Sequence, residues 1–177
     1  TRELIAERRV QAYKFADDKR YSESEIASHD GAKIKANSVV NTTGLLSYLK
    51  DDTEVVAVDE VQFLDDGIIE LAEEFAKDGK RVILAGLNLD FRGEPFKFNY
   101  DSNRTIADLV VRADHVINLK AVCMYKSNGV RCTSDASRSM RLLDGEPAPY
   151  EIPVKFIGAK GDYEARCLEH HVVPGKP

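Results

Sequence analysis

Residues 54–118 alternate buried-strand and helix signals, which predicts an α/β fold built on a parallel sheet with covered faces. Two further observations shape the prediction. All three cysteines, Cys123, Cys132 and Cys167, fall after residue 120, where Gly, Pro and Ser become common and helical periodicity disappears. The chain has 177 residues, enough for one main domain and a small satellite. The expected organisation is an α/β core over 1–119 and a second domain over 120–177, too short for a generous core and suited to a metal staple.

Each element of the core has its own signal. Glu54 to Val58 (EVVAV) reads as a buried strand. Ile68 to Lys77 (IIELAEEFAK) reads as an amphipathic helix. Ile68, Leu71, Ala72 and Phe75 share one face, and Glu70, Glu73, Glu74 and Lys77 the other. Asp78-Gly79 ends it, and Arg81 to Ala85 (RVILA) is a second buried strand. Thr105 to Ala113 (TIADLVVRA) reads as a second helix, capped by Ser102 or Asn103, and His115 to Leu119 (HVINL) as a third strand. In such sheets the ligand crevice lies at the carboxyl ends of the strands.

Composition narrows the classes. With 43% hydrophobic and 31% charged residues, the chain reads as an ordinary globular protein rather than a disordered one. No apolar run approaches the ~18 residues of a membrane span, so no membrane partner is expected. The opening TRELIAERRV is charged and shows no signal-peptide pattern. A net charge of −5 argues against a nucleic-acid coat, which wants a basic face. Cysteines without an export signal point to a reducing compartment, the cytoplasm, where they serve metals or chemistry more often than disulfides.

Three places carry chemistry. Asp59-Glu60 directly follows the EVVAV strand. An Asp at that position suits Mg²⁺ in a phosphoryl-transfer sheet, and Glu60 has the chemistry to accept a proton from a hydroxyl. The alternative is a solvated strand end. The loop Gly86 to Phe96 (GLNLDFRGEPF) mixes Phe91 and Phe96 with Asn88, Asp90 and Arg92, and suits a flat base. The alternative is a long loop tacked down by two phenylalanines. Cys167-Leu168-Glu169-His170 has C-x-x-H spacing, and Cys123 and Cys132 supply two more ligands for Zn²⁺. Eight residues separate Cys123 from Cys132, more than the usual two to four. The alternative is three buried thiols and a surface histidine. His171 competes with His170 as ligand. His29, in Ser28-His29-Asp30-Gly31, reads as part of a turn, and His115 as structural.

Taken together, TRELI at 1–5, DKRYS at 18–22, SHDG at 28–31, VDEVQF at 58–63, AGLNLDFRGEPF at 85–96, KAVC at 120–123 and KGDYEARCLEHH at 160–171 resemble the type II, cytosolic-type thymidine kinases. These stretches span nearly the whole chain in family order. The resemblance implies a P-loop-type parallel sheet with helices on both faces, plus a small zinc-containing lasso domain. It implies transfer of the ATP γ-phosphoryl to the 5′-hydroxyl of thymidine, giving dTMP for salvage and DNA precursor synthesis. ATP, Mg²⁺ and structural Zn²⁺ are implied as cofactors, dTTP as feedback inhibitor, and a homotetramer as the assembly.

The resemblance also implies roles for residues. Glu60 resembles the general base, Asp59 the Mg²⁺ carboxylate, and Gln62 a further member of the same loop. Phe63, Leu87, Phe91 and Phe96 would line the nucleoside pocket. Phe156, Ile157 and Gly158 resemble the lasso strand that hydrogen-bonds the base edge, and Tyr163 would close over base or sugar. Arg20 and Arg141 resemble the cations near the phosphates. Cys123, Cys132, Cys167 and His170 would hold the zinc.

Three departures accompany the resemblance. The family's Gly-rich G-x-x-x-x-G-K-[ST] turn does not occur in the 177 residues, and Thr1 would be its last residue, a hydroxyl on Mg²⁺. TRELIAE begins a helix and RRVQAYKF reads as the next strand, with nothing between them, where family members carry a further helical portion. Residues omitted at both places are the expected reason; an inactive or differently specific P-loop relative is the alternative. The family's C-x-x-C pair is replaced by Cys123 and Cys132, which reads as an insertion of about six residues, with a modest effect on loop entropy. The reading from another class, a zinc-ribbon module for nucleic acid, wants a basic stripe with interleaved aromatics, and the sequence shows none.

Overall fold

A computed structural model describes residues 3, 6–16, 25–27, 33–155 and 161–177. The chain divides into two compact units, Thr1–Leu87 with Lys97–Leu109, and Asn88–Phe96 with Val110–Pro177. The aromatic loop is therefore split, with Gly86 and Leu87 in the first unit and its remainder in the second.

The first unit is mixed α/β. Its strands are β1 (Val10–Phe15), β2 (Glu25–Ala27), β3 (Lys33–Lys35), β4 (Asn37–Val39), β5 (Val55–Asp59) and β6 (Arg81–Leu84). Four of them form a parallel sheet in the order β4-β1-β5-β6, and β2 pairs with β3 as an antiparallel hairpin. Strands β1 and β5 sit in the middle of the sheet, which explains the continuous apolar run Val55–Val58 of β5; β1 carries Gln11 and Lys14 among its apolar residues. Tyr13, Val55, Val56 and Val58 are buried there. The register pairs Val10 with Val55 and Lys14 with Asp59.

Among the described residues the first unit also holds helices α1 (Thr42–Tyr48), α2 (Ile68–Lys77) and α3 (Ile106–Val110). Asn41 caps α1 by accepting from the Gly44 N–H at 2.8 Å. In α2 three residues of the predicted stripe, Ile68, Leu71 and Phe75, are buried and Ala72 is half-buried; Ile69, outside the predicted stripe, is buried with them. Glu70 in its first turn and Lys77 in its last complement the helix dipole.

Three expectations change. The RVILA strand, β6, ends the described sheet order and is not buried: Arg81 and Ile83 are exposed, and Val82 and Leu84 half-buried. The second predicted helix covers only Ile106–Val110, and its cap is local. The Thr105 N–H and hydroxyl both donate to Asp108 Oδ2, at 2.8 and 3.2 Å. Ser102 serves the turn before it, accepting from the Arg104 N–H at 3.0 Å and donating to Asp66 at 2.6 Å. Residues 115–119 form no strand and are exposed. Branched side chains give strand propensity, but a strand exists only where a ladder partner accepts it.

The second unit is built from short antiparallel pairs. Its strands are β7 (Ala121–Val122), β8 (Lys126–Ser127), β9 (Val130–Arg131), β10 (Asp135–Ala136), β11 (Arg138–Leu143), β12 (Glu146–Pro147) and β13 (Tyr163–Arg166). Strand β7 pairs with β10, β8 with β9, and β11 lies between β12 and β13. Asn128-Gly129 joins β8 to β9 with φ of 49° and 82°. That is the two-residue turn whose twist matches a hairpin, and it needs residues that tolerate the left-handed region. Cys123, Ala136 and Cys167 form a small buried cluster, with Cys132 and Ala165 packed on it. Among the described residues no helix is long and apolar enough to cross a membrane.

Candidate active site and metal centre

In the first unit the site begins where β5 ends. Asp59 is the last residue of the strand, and Glu60 turns the chain with φ 52° into a 3₁₀ turn over Val61–Phe63. The backbone N–H of Glu60 donates to Asp59 Oδ1 at 3.0 Å. Gln62, fully buried, donates from Nε2 to Glu60 Oε2 at 2.6 Å and accepts the Leu87 N–H on Oε1 at 3.2 Å. One amide thus ties the Glu60 carboxylate to the loop that follows β6. The strained backbone at Glu60 is held by this network and by the Val61 N–H donating to the Ala85 carbonyl at 3.0 Å. Gly86 makes the approach possible, since a Cβ there would fall 2.3 Å from Gln62 Oε1 and 3.3 Å from the Val61 nitrogen.

Phe63 joins an aromatic cluster, with ring centroids 5.3 Å from Tyr100, nearly stacked, and 5.5 Å from Phe15. Leu87 is exposed. Lys14 is buried at the carboxyl end of β1, in register with Asp59 on one side and Ser38 on the other. Register partners in a parallel pair project to the same face of the sheet.

In the second unit Phe91 and Phe96 are buried within the loop, and Asp90 organises it. Asp90 Oδ1 accepts the backbone N–H groups of Arg92 at 2.9 Å and Glu94 at 3.0 Å. Burial nonetheless pushes the Asp90 carboxyl above its ordinary range. The Arg92 guanidinium lies 4.5 Å from the Tyr150 ring centroid and donates to the Ile152 carbonyl at 2.9 Å. Arg141, on β11 opposite Tyr163, donates to the Pro153 carbonyl at 2.8 Å and lies 5.7 Å from the Phe91 ring centroid. Burial raises the Tyr163 hydroxyl pKa.

The candidate metal centre is also in the second unit. Cys123, Cys132, Cys167 and His170 bring their ligand atoms within 4.8 Å of one another. His170 Nδ1 lies 3.2 Å from Cys167 Sγ and 3.8 Å from Cys123 Sγ. A tetrahedral zinc with Zn–S of about 2.3 Å has ligand–ligand edges of roughly 3.8 Å, so both the donor set and its spacing fit Zn²⁺. The ring of Tyr125 stacks on His170 at 3.9 Å and 14°. Hydrogen bonds from the Ser134 side chain and backbone hold the Cys132 thiol below its ordinary range, favouring the thiolate that a metal takes. Burial pushes Cys167 the other way. The β8–β9 hairpin accounts for the long spacing, for its strands bring Cys132 back beside Cys123, and the Cys132 N–H donates to the Tyr125 carbonyl at 2.8 Å.

The thymidine kinase family model matches residues 1–171. The chain belongs to the thymidine kinase family. A thymidine kinase from Thermococcus kodakarensis is 41% identical over 178 residues, covering 98% of this chain and 84% of that protein. Membership makes the chain a kinase, an enzyme of phosphotransfer.

Of the residues singled out in the sequence, Asp59, Glu60 and Gln62 stand together at the end of β5, and Cys123, Cys132, Cys167 and His170 form a group that could hold a metal ion. Thr1, Arg20, Phe156, Ile157, Gly158 and His29 lie outside the described residues. His171 is no part of the Cys₃His group, and its Nε2 lies 2.9 Å from the Phe91 carbonyl oxygen. The reading missed Lys14, Tyr100 and Tyr125. A lysine inside the apolar run VQAYKF was the available signal for the first; Tyr100 and Tyr125 matter only through contacts that spacing does not reveal.

Proposed function

We propose that this chain phosphorylates thymidine, moving the γ-phosphoryl group of ATP to the 5′-hydroxyl and releasing dTMP and ADP. The observation that carries the reading is the Glu60 carboxylate at the end of β5, fixed at 2.6 Å by the buried Gln62 amide. A base held in this way waits in one orientation for the hydroxyl proton. As the 5′-oxygen bonds to the γ-phosphorus and the bridging P–O bond to ADP breaks, the hydroxyl proton passes to Glu60. Asp59 holds Mg²⁺, which supplies charge stabilisation to the phosphoryl group when bound. Thr1, Arg20 and Arg141 serve the phosphates.

For the nucleoside, we assign thymine contacts to Phe63 and Leu87, and likewise to Phe91, Phe96 and Tyr163. Phe156, Ile157 and Gly158 read the base edge with backbone groups. Structural Zn²⁺ is held by Cys123, Cys132, Cys167 and His170, and its role is to brace a unit whose own core is small. A cytoplasmic homotetramer inhibited by dTTP completes the proposal; dTTP carries the same base as thymidine.

A thermal-shift panel on the full-length protein tests the assignment. Thymidine is expected to raise the melting temperature, while deoxycytidine, uridine and a single-stranded oligonucleotide leave it near the unliganded value. Stabilisation by the oligonucleotide and not by thymidine would contradict the reading.

A further inference from the structure

The C-terminal tail is tied to two consecutive carbonyls of the aromatic loop. His171 Nε2 lies 2.9 Å from the Phe91 oxygen, and Lys176 Nζ donates to the Arg92 oxygen at 2.6 Å. A carbonyl only accepts, so Nε2 of His171 carries the proton. The imidazole also packs on the loop backbone, because a Cβ at Gly93 would lie 3.3 Å from His171 Cε1. The same tail is anchored again at Tyr150, whose N–H donates to the Pro174 carbonyl at 2.8 Å; the Tyr150 hydroxyl donates to Glu94 of the loop at 2.9 Å. The residue before His171 is His170, whose Nδ1 belongs to the Cys₃His group. Adjacent Cα atoms are about 3.8 Å apart, so fixing one histidine restricts the other.

We propose that His171 is a positioning residue, through which a metal in the Cys₃His group holds the loop that carries Phe91. Zinc then does more than staple the tail. With the Cys167–His170 turn fixed, the imidazole of His171 stands as a rigid post under Phe91 and Gly93. Without the metal the turn is freed and the post with it. The consequence for nucleoside binding rests on the assignment of Phe91 above; the mechanical coupling does not.

The test is hydrogen exchange of backbone amides 88–96 in the full-length protein, zinc-loaded and chelated, with zinc content measured alongside. In the wild type, chelation is expected to speed exchange in this loop about tenfold, the factor of one lost hydrogen bond. His171→Ala should show the faster exchange while retaining its zinc, with little further change on chelation. His171→Gln, which keeps an N–H donor, should stay near the wild type. Wild-type exchange in zinc-loaded His171→Ala would overturn the proposal, as would chelation loosening that variant as much as the wild type. Lys176→Met is the second variant should His171→Ala fail to fold. It removes the neighbouring tie without altering a residue beside a metal ligand and leaves the His171 tie in place, so chelation should loosen the loop in this variant at least as much as in the wild type. A loop in zinc-loaded Lys176→Met whose exchange does not change on chelation would overturn the coupling. Thymidine KM should rise in His171→Ala with kcat little changed. A loosened loop with unchanged KM would remove Phe91 from the nucleoside site and leave the coupling in place.

Discussion

The Gln62 amide bridges Glu60 Oε2 and the Leu87 backbone N–H, at 2.6 and 3.2 Å, with no exposure of its own to solvent. Both of its ends are used, so it is oriented from two sides. In Gln62→Leu the Glu60 carboxylate loses its tether and the Leu87 N–H its acceptor. A hydrogen bond to a charged group contributes about 1.5–3 kcal/mol, so kcat should fall roughly 10–100-fold. Steady-state kinetics at saturating ATP and thymidine check this, and wild-type kcat would leave Gln62 without a role in orienting Glu60.

Gly86 tests the same network from the other side. Its absent Cβ would meet Gln62 Oε1 at 2.3 Å and Val61 Cγ1 at 3.0 Å. The amide can swing away, but only by abandoning Glu60, and the Val61 backbone nitrogen at 3.3 Å cannot. Gly86→Ala should therefore lower kcat like Gln62→Leu and destabilise the fold by roughly 1–3 kcal/mol. Urea unfolding and kinetics on one preparation measure both.

Strand β5 and helix α2 were legible in the sequence because one is a continuous apolar run and the other an unbroken 3.6-residue stripe, and both patterns are local. The HVINL segment had similar propensity and no ladder, and pairing is a property of the partner as much as of the run. The place of Glu60 after a buried strand was legible. The tether that Gln62 makes to it was not, because the other end of that amide meets a backbone N–H 25 residues away. The side chains of the Cys₃His group were legible as residue types. The hairpin that brings Cys132 to Cys123 was signalled by Asn128-Gly129, a cue that the count of intervening residues concealed.

Zinc content is a direct measurement. One zinc per chain is expected by elemental analysis, given four ligand atoms within 4.8 Å. Cys132→Ser should lose most of it, since three ligands hold zinc far less well than four, and should unfold at lower temperature. A metal-free protein with wild-type stability would remove the metal centre from this account.

Asp90 gives a pH dependence whose sign is fixed. Burial raises its folded-state pKa above the unfolded value of about 3.9. Its contribution to stability is fully present below the unfolded pKa and is lost as pH rises through the raised folded value. Asp90→Asn keeps an oxygen for the Arg92 and Glu94 N–H groups and never ionises. The variant should equal or exceed wild-type stability at pH 7, and that advantage should shrink toward pH 3. Thermal unfolding across this range checks it; a variant that becomes relatively less stable as pH rises would reverse the argument.

Thymine presents an acceptor-donor-acceptor edge, whereas cytosine presents a donor at N4 and an acceptor at N3. A backbone strand that reads the first meets like groups in the second, and each buried unpaired group costs roughly 1–3 kcal/mol. The most direct measurement is kcat/KM of the full-length enzyme for thymidine and for deoxycytidine with ATP, in the wild type and in Glu60→Gln. The account predicts that wild type uses thymidine and uses deoxycytidine far more slowly, and that Glu60→Gln binds thymidine but loses about 10²–10⁴-fold in kcat. Comparable kcat/KM for the two nucleosides, or near wild-type turnover in Glu60→Gln, would contradict it.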